Sequence, residues 1–130
     1  MDRFNEYFSV FKRRADAVAF INGSPDYPKI KGRVLFYQLK NAVMVRADIW
    51  DLPKGIVDCG SPIFAFHIHK GEECSGNQND PFADADGHFN PDNCPHPYHA
   101  GDLPPLFGVN GKAFSAFLTD RFTVKEILGR

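Results

Sequence analysis

The chain has 130 residues, of which 43% are hydrophobic and 24% are charged, and its formal net charge at pH 7 is −1. This length suits one domain with a real hydrophobic core, and the composition excludes a disordered chain. A charge so close to zero gives no global attraction for nucleic acid or an acidic membrane surface, so we expect neither partner. The first twenty residues contain no uninterrupted apolar segment and no small-residue cleavage site. With Met1 as the start, we therefore expect no signal peptide, no membrane span and a cytoplasmic location.

An amphipathic helix is predicted at the N-terminus, over roughly residues 2–14. Its aromatic residues recur at helical spacing and are flanked by charged residues: Phe4, Tyr7, Phe8 and Phe11. We expect this helix to cover part of the core or a sheet edge, and binding of a partner is the alternative. Residues 1–15 are therefore interpreted as an N-terminal extension.

Beyond residue 15 the pattern changes to short strands separated by turn residues. The predicted strands are Ala17–Ile21, Arg33–Leu39, Ala42–Trp50, Pro62–Lys70 and Lys112–Leu118. The second and third form a hairpin about Lys40-Asn41, and the third places alternate apolar residues on one face: Val43, Val45, Ala47 and Ile49. A capping box at Thr123–Glu126 predicts one helical turn near the end. Short strands with so little helix favour an all-β antiparallel sandwich or barrel over residues 16–130.

All five histidines of the chain lie between Phe64 and Leu103. His67 and His69 are two residues apart on a predicted strand, so both point to one face. Neutral imidazole nitrogens are good ligands for zinc and copper, so the pair can occupy two positions around one metal ion. The alternative is a half-exposed strand that carries two histidines without binding metal.

A second candidate set lies in the loop that follows. It consists of His88, His96, His99 and Asp102. Prolines at positions 91, 95 and 97 predict a constrained loop rather than a helix or strand. Three imidazoles and one carboxylate form a closed four-ligand set that suits tetrahedral structural zinc. The alternative is a polar surface loop.

Several motifs, in this order and spacing, resemble the copper–zinc superoxide dismutases. They are Ile21-Asn22-Gly23-Ser24, the hairpin ending at Leu52-Pro53, Phe64–His69 (FAFHIH), Gly87–Pro91 (GHFNP) and His99–Leu103 (HAGDL). The resemblance covers roughly residues 16–130. It implies an antiparallel Greek-key β-barrel or sandwich of the superoxide dismutase type and a reaction that converts superoxide to oxygen and hydrogen peroxide.

The resemblance also implies a role for each candidate residue. His67 and His69 resemble the first two copper ligands, and His88 resembles the histidine that bridges copper and zinc. His96, His99 and Asp102 match the remaining zinc ligands, although the interval from His96 to His99 is much shorter than the family's usual loop. The implied cofactors are copper and zinc, and the implied catalytic residues are His67, His69 and His88.

The sequence departs from the family after Gly129-Arg130. There the family has its last strand, its fourth copper histidine and its anion-guiding arginine, and none of them is in this sequence. We therefore expect a barrel that is incomplete at the C-terminus, or one that a neighbour completes in a homodimer. Cys74 resembles the family's disulfide cysteine, whose usual partner is also absent. Cys94 and Cys59 are alternative partners, and a reducing compartment would leave all three thiols free.

Three functional hypotheses follow. The first is a superoxide dismutase whose activity in this chain is reduced or absent. The second is a non-catalytic copper- or zinc-binding module on the same fold, in which activity is lost with the fourth copper ligand and the arginine. The third is a truncated product that a partner chain completes, or that is inert.

Overall fold

The computed structural model describes residues 3–55 and 58–130, which form two antiparallel sheets and a few short helices. The elements in chain order are α1 (Arg3–Val10), β1 (Ala17–Asn22), β2 (Lys31–Gln38), β3 (Val43–Trp50), β4 (Ile63–Phe64), β5 (Leu106–Phe107), β6 (Ala113–Thr119) and α2 (Val124–Ile127). A single 3-10 turn at Ala83–Ala85 lies between β4 and β5. The fold is therefore mostly β, as the spacing of turn residues predicts.

The main sheet has the strand order β1-β2-β3-β6, and β4 and β5 form a second, two-stranded sheet. All the pairings are antiparallel, with Val34 opposite Ala47 in β2–β3 and Ala47 opposite Ser115 in β3–β6. The chain leaves the main sheet after β3, forms β4 and β5, and returns as β6 beside β3. No closed barrel forms among residues 3–55 and 58–130.

The core lies on the inner face of the main sheet, where β3 places its alternate apolar residues. Val43, Val45 and Ala47 are fully buried, as their spacing predicts. Residues from the second sheet, the loops and the last turn pack against them, including Leu103, Leu106, Phe89, Phe122, Val124 and Ile127. Phe66 and Ile68 also pack against this cluster, as predicted, so the two histidines that alternate with them face the other way.

The outer face of the sheet carries a second apolar layer that the alternation does not predict. Met44 faces away from the core with Arg46 and Asp48, as expected, but it is only 5% exposed. Its cross-strand neighbour Tyr37 is 2% exposed. The ring of Phe11 contacts Tyr37 edge-on, with the centroids 5.6 Å apart. The segment after α1 therefore covers the outer face of the sheet.

The N-terminal helix ends at Val10 and not near residue 14, because the chain turns back toward β2 there; residue 2 of the predicted range lies outside the described residues. Asp16 accepts a hydrogen bond from the backbone N–H of Gln38 (2.7 Å), and the Arg13 guanidinium contacts the same carboxylate at 3.0 Å. Arg13 also donates to the Gln38 carbonyl oxygen at 3.0 Å. The Gln38 N–H, helped by Arg13, holds the pKa of Asp16 below its ordinary value of 3.8, against the opposing effect of burial. These polar contacts fix the segment between α1 and β1 to the end of β2.

Two features of the second half differ from the prediction. The strand expected over Pro62–Lys70 is limited to Ile63–Phe64, because the backbone of residues 66–70 pairs with two loop segments through isolated bridges instead of one continuous neighbour. The strand β5 is too short, and too closely preceded by two prolines, to give a sequence signal.

The capping box predicted near the end of the chain is confirmed: the Thr123 N–H donates to the Glu126 carboxylate at 3.1 Å. None of the helices in the described ranges is long and apolar enough to cross a bilayer.

Candidate metal centre

The site is built on a backbone frame of three segments, 66–70, 87–89 and 101–103. The Ile68 N–H donates to the Gly101 carbonyl oxygen at 2.9 Å, and the Phe89 N–H donates to the Ile68 carbonyl oxygen at 2.8 Å. The Gly101 N–H donates in turn to the Phe89 carbonyl oxygen at 2.8 Å. These bonds set His67 opposite Asp102 and His69 opposite His88. The frame therefore brings two distant loop segments to the strand that carries the histidine pair.

Gly101 makes this close approach of the segments possible. A Cβ atom at this position would collide with the Ile68 carbonyl oxygen and crowd the Phe89 side chain. Glycine removes that collision because it has no side chain. The glycine of the HAGDL motif thus has a structural reason to stand beside the candidate ligand Asp102.

The first donor set consists of His67, His69 and His88. Each residue offers one imidazole nitrogen, and these three nitrogens lie within 4.8 Å of one another. All three residues are half-buried. The rings of His67 and His88 are stacked, with centroids 3.9 Å apart. Three imidazoles in this arrangement can hold a transition-metal ion such as copper or zinc.

The second donor set surrounds the carboxylate of Asp102, which is the most buried charged group of the site. Its Oδ1 lies 2.8 Å from Nδ1 of His88. Its Oδ2 lies 3.2 Å from Nδ1 of His96 and 3.3 Å from Nδ1 of His99. Nδ1 of His88 and Nδ1 of His99 are themselves 3.2 Å apart. Three imidazoles thus point the same ring nitrogen at one carboxylate.

These spacings fit the geometry of a tetrahedral metal site. Bonds of roughly 2.0–2.1 Å to zinc place the ligand atoms of a tetrahedron about 3.3 Å from one another. The separations in the second set, 2.8 to 3.3 Å, are close to that value. The donor types also fit, since three neutral imidazoles and one carboxylate satisfy a divalent ion. The residues present therefore fit a metal ion in donor type and in spacing.

His88 belongs to both donor sets. Its Nδ1 faces Asp102 and His99 in the second set. Its ring stacks on His67 and lies 5.2 Å, centroid to centroid, from the ring of His69. One imidazole has two nitrogens on opposite sides, so a single ring can be shared by two neighbouring ions. This arrangement would let His88 serve as a common ligand of two adjacent metal ions.

The orientation of His69 is fixed by a backbone oxygen that no sequence motif identifies. Its Nδ1 lies 2.7 Å from the carbonyl oxygen of Asp86, so Nδ1 carries the proton and Nε2 keeps its lone pair. The Asp86 carboxylate accepts from the Gly87 N–H and pairs with Lys70. The hydrogen bond from the Gly87 N–H has the larger effect, and together with the Lys70 contact it lowers the pKa of Asp86. Every residue has a carbonyl group, so this contact could be found only from the fold.

Two residues of the site have perturbed protonation equilibria in the metal-free chain. Burial lowers the pKa of His67, and the neighbouring His88 lowers it further because two positive rings would repel each other. For Asp102, burial raises the pKa. The His99 backbone N–H, the bond with His88 and the nearby imidazoles outweigh that effect, so the pKa falls below 3.8. At neutral pH, His67 is therefore neutral and Asp102 ionised, the states in which each can bind a metal ion.

The loop that carries the second set is braced from both ends. Asn90 makes two hydrogen bonds of 2.9 Å with the backbone of Cys94. Arg121, which follows β6, donates to the carbonyl oxygens of Pro97 and His99. Arg130 covers the Phe89 ring at 5.1 Å and donates to the Lys70 carbonyl oxygen. The three cysteines, all within the described ranges, form no disulfide: Cys59, Cys74 and Cys94.

The structure thus brings together all six residues that the sequence analysis selects: His67, His69, His88, His96, His99 and Asp102. It does not identify the ion that each set prefers, so the assignment of copper and zinc stays a prediction. Arg121 and the Asp86 carbonyl are not anticipated from the sequence, because neither belongs to a histidine or carboxylate pattern.

A mostly antiparallel β fold with two imidazole-rich donor sets that share one histidine defines a class of candidate dinuclear metalloproteins. Comparison with known proteins narrows this class. The family model for copper/zinc superoxide dismutase matches residues 30–130, which include both donor sets. The chain is also 32% identical to a protein of Legionella pneumophila named superoxide dismutase [Cu-Zn], over 92% of this chain and 72% of that protein. The chain belongs to the copper/zinc superoxide dismutase family.

Proposed function

We propose that this chain binds copper and zinc and converts superoxide to oxygen and hydrogen peroxide. The observation that supports this proposal most directly is the position of His88, whose ring is common to two groups of donor atoms, each compact enough to hold a metal ion. A single-metal site would not need an imidazole placed between two groups of ligands. Family membership supports the same function, and the named activity of the Legionella protein agrees with it.

In this proposal His67, His69 and His88 hold copper. Imidazole nitrogens stabilise both oxidation states that a copper ion needs for one-electron chemistry. The stacking of His67 on His88 keeps the two rings at a fixed separation. The bond from His69 to the Asp86 carbonyl oxygen prevents its ring from turning the wrong nitrogen toward the ion.

Zinc is held by His88, His96, His99 and Asp102. The carboxylate contributes a negative charge that the three neutral imidazoles lack, and its position is fixed by the His99 N–H at 3.1 Å. A closed set of four protein ligands is typical of a structural zinc ion. Its role would be to order residues 88–102 and to fix the His88 ring beside the copper position.

Bound copper would supply the one-electron oxidation of one superoxide anion and the one-electron reduction of the next. Two protons are needed to complete hydrogen peroxide. The Nδ1 atom of His88 is directed toward the second set, so its Nε2 atom lies on the copper side of the ring, where it would carry one proton whenever it is not bound to the ion. Water would supply the second proton. His67 and His96 line a cavity of about 590 Å³ beside the site, which is large enough to admit a small anion and water.

The proposal is tested by metal analysis combined with a superoxide assay on the full chain. We expect one copper and one zinc per chain and dismutation that the metal-free chain lacks, with both copper and activity lost in His67→Ala. Stoichiometric copper and zinc without dismutation would instead indicate the non-catalytic metal-binding module. Failure to bind either metal would contradict both functions. The cytoplasmic location and the homodimer remain predictions.

A further inference from the structure

The segment that carries His96 and His99 has little of its own to hold it in place. The side chain of His96 is 63% exposed, whereas that of His99 is 21% exposed. Burial therefore cannot fix the position of His96. Pro95 and Pro97 on either side of it provide no N–H groups, so the backbone there makes few hydrogen bonds. The local contacts are a turn in which the Tyr98 N–H donates to the Pro95 carbonyl oxygen at 2.7 Å and, beyond it, a pair of bonds between His99 and Asp102.

Arg121 contacts three consecutive residues of this segment. Its Nη1 donates to the carbonyl oxygen of Pro97 at 2.7 Å and to that of His99 at 3.3 Å. Its guanidinium carbon lies 5.7 Å from the centroid of the Tyr98 ring, within the range of a cation–π contact. The Arg121 side chain thus holds the backbone on both sides of Tyr98, in the segment that leads from His96 to His99.

Arg121 is itself held by the core. The next residue, Phe122, is 4% exposed and packs its ring edge-on against Phe36 of β2, with the centroids 6.4 Å apart. The Arg121 N–H donates to the Thr119 hydroxyl at the end of β6. The base of the side chain is therefore anchored to the main sheet, and its far end reaches the loop. This connects the loop to the most buried part of the molecule.

We propose that Arg121 is a positioning residue for zinc binding: by holding the Pro97 and His99 carbonyl groups, it keeps His96 and His99 directed at Asp102. This inference rests on the proposed function, since it concerns the zinc position. Arg121 does not touch the ion, and its effect is exerted through the backbone of two ligands. Groups that orient metal ligands in this way commonly change metal affinity by about 10-fold to 100-fold when they are removed.

The test compares three variants of the full chain. Arg121→Gln removes the charge and the two donors from Nη1, whereas Arg121→Lys keeps the charge and a donor without the planar guanidinium. Arg33→Gln is the matched control, because Arg33 is exposed on the outer face of β2 and its side chain has no hydrogen bond or ion pair among the described residues. Zinc affinity is measured by competition with a chelator, and the geometry at the zinc position is measured from the visible absorption bands of Co²⁺ bound in its place.

We expect Arg121→Gln to bind zinc about tenfold more weakly or worse and to shift the Co²⁺ bands, with partial recovery in Arg121→Lys and no change in Arg33→Gln. Unchanged zinc affinity and an unchanged Co²⁺ spectrum in Arg121→Gln would overturn the inference. A lower melting temperature of the metal-free Arg121→Gln chain would not by itself support the inference, because it would show only a structural role for Arg121. If Arg121→Gln does not fold, Arg121→Lys decides by the same two measurements. A wild-type chain that binds no zinc would overturn the proposed function and this inference with it.

Discussion

His88 is the residue on which both donor sets depend. Its Nδ1 lies 2.8 Å from Asp102, and its ring stacks on His67 at 3.9 Å. An imidazole between two positive ions must have lost both ring protons, and it can do so only where the ions replace them. A shared ring therefore makes the two metal positions dependent on each other.

The first prediction separates the shared ligand from the others. His88→Ala should lose copper and zinc together, because it removes a direct ligand from each set. His67→Ala should mainly lose copper, and Asp102→Ala should mainly lose zinc. Loss of a direct ligand should weaken binding by more than the roughly 10-fold to 100-fold typical of groups outside the ligand shell. Metal content of the three purified variants measures this, and equal zinc in His88→Ala and wild type would refute the shared role.

A second prediction at this scale concerns Asp16, which belongs to neither donor set. Because its pKa is lowered in the folded chain, the contribution of its ionised form to stability is present above the ordinary value of 3.8 and is lost as the pH falls through the lowered value. The side chain is 41% exposed, so solvent screening limits this contribution. We expect Asp16→Asn to cost about 1 kcal/mol at neutral pH.

Chemical denaturation of wild type and Asp16→Asn at a series of pH values measures that difference. The difference should be constant at neutral pH and should disappear in acid once Asp16 is protonated. A difference that grows in acid would contradict the account, as would no difference at neutral pH.

At the scale of elements, the N-terminal segment is a second packing layer on the outer face of the main sheet. Phe11 contacts Tyr37 edge-on, and the Arg46 guanidinium lies 5.5 Å from the Phe11 ring. We expect Phe11→Ala to lower the free energy of unfolding by about 1–2 kcal/mol, since the half-buried Phe11 ring loses its contact with the buried Tyr37 ring. Tyr7→Ala is the control, because Tyr7 is 45% exposed on α1.

Thermal or chemical unfolding of both variants provides the measurement. Metal content should be unchanged in both, because this layer is on the opposite face of the sheet from the core and the metal centre. Equal stability of Phe11→Ala and Tyr7→Ala would show that the segment does not pack as described.

The elements also show which parts of the fold can be predicted from the sequence. The strand Val43–Trp50 is readily predicted, because strict alternation of apolar residues reports one buried face. The burial of Met44 on the other face is not predicted by this alternation, because it depends on the segment after α1, which packs over the outer face of the sheet. The strand predicted over Pro62–Lys70 is too long, because its pattern is right but its partners are two separate loop segments.

The candidate site divides in the same way. Its six side chains can be selected from histidine spacing and from the resemblance to a family, since ligand types and intervals are written in the sequence. The distances between these side chains cannot be predicted, because they depend on backbone hydrogen bonds between residues far apart in the sequence, such as Ile68 and Gly101. Arg121 cannot be selected either, because it contacts carbonyl groups that every residue possesses.

At the scale of the whole molecule, residues 71–103 are mostly loop, and isolated bridges at His88 and Asp102 join them to the segment of His67 and His69. An ion that binds only the folded state adds to stability by mass action. Zinc at a free concentration roughly 100-fold above its dissociation constant should add about 2.7 kcal/mol. Removal of zinc should therefore lower the melting temperature.

Hydrogen exchange locates that effect. Removal of zinc should speed exchange in residues 88–103 far more than in β2 and β3, whose ladder is independent of the ion. Asp102→Asn serves as a variant that should resemble the zinc-free chain even with zinc present. Uniform changes across the sheet and the loop would contradict a local role for the ion.

We propose that six side chains hold two different ions on either side of one imidazole. Anomalous diffraction from crystals of the copper- and zinc-loaded chain, recorded at the absorption edge of each metal, tests this arrangement directly. We expect a zinc peak among the Nδ1 atoms of His88, His96 and His99 and the carboxylate of Asp102. We expect a separate copper peak among His67, His69 and the opposite side of the His88 ring. A single peak, or two peaks that do not both contact His88, would contradict the shared role of His88.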